Sequence, residues 1–155
     1  MREHLRRVES FARLRFVDHL APARRQMRAW LLDELAAYRE AGAFPIPRDS
    51  PWDLRPYFID ADGRRSTIAH LMELTGADAL VAEIAHTNNN AYVAELVRDP
   101  RVAAWADEVG FTIEEAERIE PTLCRVLDCA CFPAFVDHVP ALAAGRLVRR
   151  RSASR

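Results

Sequence analysis

The chain reads as mainly all-α, a single domain of about eight irregularly packed helices with one small β-hairpin. Three observations predict this. Apolar residues recur at helical spacing along most of the sequence. Gly and Pro punctuate the apolar stretches. Only residues 57 to 68 combine strand-forming side chains with tight-turn chemistry.

The first helix is expected over about residues 3 to 20, where Leu5, Val8, Phe11, Leu14, Val17 and Leu20 recur every three residues with Arg between them. Pro22 suits the first turn of a second helix, over about 22 to 41, with a buried stripe of Met27, Trp30, Leu31, Leu35 and Tyr38 and a stop at Gly42. Pro45, Pro47 and Pro51 then exclude regular structure, so residues 44 to 56 are read as an extended crossover pinned by Phe44, Ile46 and Trp52. Its length and aromatic residues would also suit a lid.

Tyr57-Phe58-Ile59 has the character of a strand, Asp60-Ala61-Asp62-Gly63 that of a turn, and Arg64 to Ile68 would be the return arm. Two strands alone are marginal in water, so this hairpin must lie against helices. The acidic turn resembles the start of a calcium loop, but the bidentate Glu is missing from its place, and a plain turn is the better reading. Ser66 or Thr67 can cap a helix running to Thr75 and ended by Gly76. A second helix from Ala77 to about His86 makes residues 67 to 86 an antiparallel helical hairpin.

One residue of Asn88-Asn89-Asn90 should cap a helix through Tyr92, Val93 and Leu96. Asp99 and Pro100 begin the next, with Val102, Trp105 and Val109 inward and Gly110 at its end. Thr112-x-x-Glu115 is a capping box, Phe111 and Ala116 form its hydrophobic staple, and Ile113, Ala116 and Ile119 face the core. Pro121 starts a further element, and Phe132 to Leu142 forms a last apolar segment. The whole is one domain's length, with residues 1 to 145 as a helical domain and 146 to 155 as a disordered basic tail.

Half of the residues are apolar and 29% are charged, a balance too apolar for disorder. No apolar run reaches the ~18 residues of a membrane span, and the N-terminus lacks the apolar stretch of a secretion signal. A cytoplasmic protein is expected, with no membrane partner. Lys is absent and Arg takes its place throughout. Arg suits bidentate recognition of carboxylate and phosphate, but Arg, Ala, Pro and Gly all use GC-rich codons, and a GC-rich bacterial genome explains the bias more simply. Charge is unevenly spread: residues 1 to 30 carry eight Arg against three acids, and residues 60 to 120 carry thirteen acids against five Arg. A basic helical head is expected to pack across an acidic body, in the same chain or in the second subunit of a homodimer.

The most informative stretch holds two mirror-image pairs, His70-x-x-Glu73 and Glu83-x-x-His86, followed by the Asn triplet. In a helical hairpin centred near residue 76, position 70 falls opposite about 83, so these four side chains can converge on one polar point. Imidazole with carboxylate is ligand chemistry for Fe, Zn, Mn or Cu, with His70 and His86 as the ligands. Without a metal, a Glu that accepts from a His ring orients it as a general base. Tyr57, Asn88, Asn89, Asn90 and Tyr92 would then supply polar contacts to a small substrate. A plainer reading competes: Leu71, Leu74, Leu80, Val81 and Ile84 already fill the buried stripes, which leaves the polar pairs in solvent.

Cys124, Cys129 and Cys131 share one segment, in an odd number and at a spacing that matches no standard zinc pattern. Packing explains them best, with Cys129 and Cys131 as reserve candidates for a nucleophile or thiolate ligand. No glycine-rich phosphate loop and no G-x-S-x-G elbow is present, which disfavours nucleotide-dependent enzymes and serine hydrolases. The Arg-rich tail has no helix-turn-helix to accompany it, so nucleic acid is an unlikely partner. The leading expectation is a small bacterial enzyme that acts on a small organic substrate in specialised metabolism, through the His/Glu pocket. The rival is a non-catalytic helical binding or regulatory module that uses its Arg-rich N-terminal helices.

Overall fold

A computed structural model describes residues 1–46 and 56–120. The lid expectation for residues 47 to 55, the element at Pro121, the thiols Cys124, Cys129 and Cys131, the apolar segment 132 to 142 and the tail 146 to 155 lie outside the described residues.

Among the described residues there are seven helices: α1 (Arg2–Leu14), α2 (Pro22–Ala41), α3 (Thr67–Leu74), α4 (Asp78–Thr87), α5 (Val93–Leu96), α6 (Pro100–Glu108) and α7 (Ile113–Ile119). All seven contribute to one buried apolar cluster, for example through Leu5, Leu31, Ile68, Val81, Val93, Val102 and Ala116. The short α7 packs against α1, α3, α5 and α6, while α2 lies between α1 and α3.

Local signals act where the sequence places them. Pro22 opens α2, and Gly42 closes it at φ 68°, in the left-handed region that glycine enters without a Cβ clash. Ser66 caps α3 by accepting from Ala69 N–H. Asp99 caps α6, with Pro100 at its first position. Thr112 and Glu115 form the reciprocal box at α7, with Phe111 and Ala116 buried as the staple.

Three expectations are corrected. First, α1 ends at Leu14, not near residue 20: Arg15 is extended, and Leu14 and Phe16 stand 87% and 75% exposed. At that ending the carbonyl of Ala12 accepts from Arg15 N–H at 3.4 Å and, more closely, from Arg28 of α2 at 2.9 Å. Second, the inward stripe of α2 keeps Leu31, Leu35 and Tyr38 but differs in its first half. Arg28 and Leu32 are buried, whereas Met27 and Trp30 lie at the exposed edges. Third, the hairpin reduces to a single antiparallel bridge between Ile59 and Arg65, with no named strand among the described residues. Its missing strand is supplied by an asparagine. Asn89 Oδ1 accepts from Ile59 N–H at 2.9 Å, its Nδ2 donates to the Ile59 carbonyl at 2.8 Å, and its own carbonyl accepts from Phe58 N–H at 2.8 Å.

The acidic turn is organised from within. Both carboxylate oxygens of Asp60 are used, accepting from the backbone N–H groups of Ile46, Asp62 and Arg64 and from the Arg64 guanidinium. Burial pushes this carboxyl up, but those donors outweigh it, and its pKa lies below the ordinary carboxylate value. A calcium-loop role has no oxygen to draw on at Asp60.

The basic head meets the acidic body inside one chain. Arg24 pairs with Asp107 at 3.0 Å, and Arg28 pairs with Glu115 through two bonds of 2.6 and 2.9 Å. No helix among the described residues is long and apolar enough to cross a membrane.

Candidate functional site

Ser66 begins α3 directly after the acidic turn, and α3 packs against α2. His70, one turn into α3, is thereby brought onto Tyr38 of α2, and the two rings stack with centroids 4.9 Å apart and planes 26° off parallel. Phe44 meets the Tyr38 ring edge-on at 5.4 Å. The Tyr38 hydroxyl donates to the Arg65 carbonyl at 2.7 Å, which fixes the ring against the turn.

His70 is half-buried and faces a hollow of about 470 Å³ lined by Glu34, Ala37, Tyr38, Asp62, Arg64 and Arg65, among others. That volume lies in the range of small-molecule sites. Burial lowers the His70 pKa, and the nearby carboxylates of Glu34 and Glu73 offset this only in part. The imidazole is therefore neutral at pH 7, with a lone pair to accept a proton or a hydrogen bond. Neither ring nitrogen is hydrogen-bonded among the described residues.

The four-residue convergence expected at the α3–α4 hairpin does not form. Glu73 pairs with Arg65. Glu83 is held by Arg101 of α6 through two bonds of 2.8 Å, and His86 is exposed near the end of α4. The reason is helical phase. The buried stripes of the two helices, Leu71 and Met72 on one and Val81 and Ile84 on the other, carry the apolar packing. Each polar pair is rotated off that line, His70 toward α2 and Glu83 toward α6. No group of three or more His, Cys, Asp or Glu side chains among the described residues is arranged to hold a metal ion. Among the described residues, His70 and His86 therefore do not come together in one ligand set.

Of the expected substrate contacts, two asparagine side chains are taken up by bonds within the chain. Asn89 holds Ile59, Asn90 Nδ2 donates to the Pro56 carbonyl at 2.8 Å, and Asn88 is the exposed C-cap of α4. Tyr92 precedes α5 and its N–H donates to Glu95. Tyr57 is half-buried beside Phe58.

Residues not singled out by spacing carry more of the site. Tyr38 reads as an ordinary core position of α2, and Glu34 lies one turn before it on the same helix; only their meeting with His70 gives them a role. A carboxylate one turn from a core Tyr is a weak signal, but it is one that a sequence reader can use. Behind Tyr38 lies a second polar feature, Glu120, whose Oε2 accepts from Ile68 N–H at 3.1 Å. Burial raises its carboxyl to about 7, despite the donors of Ile68, Ser66 and Thr67 at the N-terminus of α3. Burial raises the Tyr38 phenol as well, and the Glu120 charge adds to the effect.

No family model, curated protein or solved structure matches this chain.

Proposed function

We propose that this chain is a small helical enzyme acting on a small organic substrate bound in the hollow at His70, with His70 as general acid/base. We further propose that it works in the bacterial cytoplasm, in specialised metabolism. One observation carries the reading: the half-buried imidazole of His70 is held against Tyr38 on the wall of a hollow, with neither ring nitrogen bonded among the described residues. His4 differs: its Nε2 is taken up by the Arg118 carbonyl at 2.7 Å, whereas the His70 ring is left for a ligand or solvent. Glu34 replaces Glu83 as the carboxylate that acts on the ring, because its charge is among those that raise the His70 pKa. A base of lowered pKa is unprotonated at neutral pH and ready for proton abstraction.

The test is a small-molecule screen read at the histidine ring resonances of the full chain, with His70→Ala and His86→Ala as separate variants. Ligands that shift the His70 signals, lose their binding in His70→Ala and keep it in His86→Ala would support the site. A folded protein whose His70 resonances answer to no compound would sink it.

A second reading has an observation of its own. Leu14 and Phe16, on either side of Arg15, expose large apolar surface where α1 ends. This suits a binding module that docks a partner at the α1–α2 turn. Leu14→Ser/Phe16→Ser should leave the fold intact and abolish self-association or partner binding if that reading holds, and leave ligand response at His70 unchanged if it does not.

A further inference from the structure

The walls of the His70 hollow differ in how their charges are answered. Arg64 pairs with Asp60 at 3.0 Å and with Asp62 at 2.8 Å, and Arg65 pairs with Glu73 and donates to the Gly63 carbonyl. Both guanidinium groups on this wall are therefore engaged by the chain's own acceptors. Glu34 is not: it is half-buried in α2, and no cation among the described residues pairs with it. Of the charges that line the hollow, Asp62 and the two guanidinium groups are paired, so Glu34 is the one whose charge no partner among the described residues answers. A half-buried carboxylate left without a counter-ion attracts a cation and repels an anion. On the same wall, the nitrogens of His70 offer an acceptor to an N–H donor.

We propose that the hollow takes a small organic ammonium ion, with Glu34 as its counter-ion and His70 as a hydrogen-bond acceptor. This rests on the reading of the hollow as a small-molecule site and names the class of molecule that fills it. An ammonium group placed between Glu34 and His70 neutralises the one unanswered carboxylate and satisfies the ring nitrogen that no protein donor reaches. A carboxylate ligand would meet the same wall with like charge, since neither Arg64 nor Arg65 is free to receive it. Ala37, Ala41 and Ala43 on the α2 side leave room for an apolar body beside the charged head.

The test uses the full chain, labelled at its histidines, and a set of small probes in matched triplets: an amine, its neutral alcohol and its carboxylate, such as benzylamine, benzyl alcohol and benzoate. Amines should shift the His70 ring resonances at lower concentration than their partners, and Glu34→Gln should weaken them about tenfold while leaving the alcohols unchanged. The same variant should lower the His70 pKa in the absence of any probe, because it removes a charge that raises it. Alcohols or carboxylates binding His70 as tightly as amines would overturn this proposal and leave the site itself standing. The same holds for amine binding that survives Glu34→Gln unaltered. Silence from all three classes would overturn both.

Discussion

Arg28 Nη2 lies 2.6 Å from Glu115 Oε1, and the two residues, in helices far apart in sequence, are only 3% and 2% exposed. The guanidinium also donates to the carbonyls of Ala12, at the end of α1, and Gly110, just past the end of α6, while the Phe111 ring lies 5.1 Å from its centre. One side chain thus closes two helix ends and neutralises a carboxylate that is itself half of a capping box. Burial alone would raise the Glu115 carboxyl, but the Arg28 bonds reverse this and hold it below its ordinary value.

Arg28→Leu should therefore destabilise the fold by roughly 3–5 kcal/mol, because it takes the closest cation from a buried carboxylate and a donor from each of two carbonyls. In urea unfolding, the double variant Arg28→Leu/Glu115→Leu should lose clearly less than the two single losses combined, since it leaves no unpaired charge inside. Strict additivity would show that the pair does not act as a unit.

Glu120 makes stability depend on pH in an unusual direction. Its folded pKa, about 7, lies above the ordinary 4.5, so the folded state holds its proton where the unfolded chain has released it. Its contribution is greatest below pH 4.5 and is lost as pH rises through 7, by at most ~3 kcal/mol. His4 and His70, both lowered by burial, work oppositely, and their contribution is lost as pH falls below the ordinary 6.5. Comparing Glu120→Gln with wild type isolates the first effect: wild type should lose stability relative to the variant between pH 5 and 8. Parallel stability curves would show that Glu120 is ordinary in the folded protein.

Thr67 Oγ1 is buried, with the residue 1% exposed, and makes no well-formed hydrogen bond among the described residues, although it lies against the Tyr38 hydroxyl. Thr67→Val keeps the shape and removes the unmet hydroxyl, so it should raise stability by ~1 kcal/mol. A lower melting temperature would mean that this hydroxyl has a partner which the variant deletes.

The three asparagines should separate cleanly on truncation. Asn89→Ala removes two bonds to Ile59 and should cost ~2 kcal/mol, whereas Asn88→Ala, at an exposed C-cap, should change stability by less than ~0.5 kcal/mol. If urea midpoints place the two variants together, Asn89 is not the strand substitute that holds the turn.

What was legible in the sequence is local. The limits of α2 follow from Pro22 and Gly42, and the starts of α6 and α7 from Asp99-Pro100 and Thr112-x-x-Glu115, because a cap and the backbone groups it satisfies lie within one turn of each other. The length of α1 was not legible. The period of Leu14, Val17 and Leu20 continues past the point where Arg15 turns extended, and the closer of the two donors to the Ala12 carbonyl, Arg28, comes from another helix. The hairpin misled for a related reason: Phe58 and Ile59 do have a backbone partner, but most of it is Asn89 rather than the return arm.

A helical class, most helix ends and the tight turn at Asp60 to Gly63 are products of contacts a few residues long and are written in the local sequence. Which polar groups meet depends on how distant helices pack. Glu83 takes Arg101 rather than His70, His70 takes the ring of Tyr38, and Arg28 reaches Glu115 across a separation of 87 residues. The physical reason is that helical spacing sets which side chains share a face, while the partner of that face is set by how apolar stripes on different helices pack. A small shift in the edge of a stripe, such as the one that buries Arg28 while Met27 stays exposed, is enough to decide which polar group finds a partner inside.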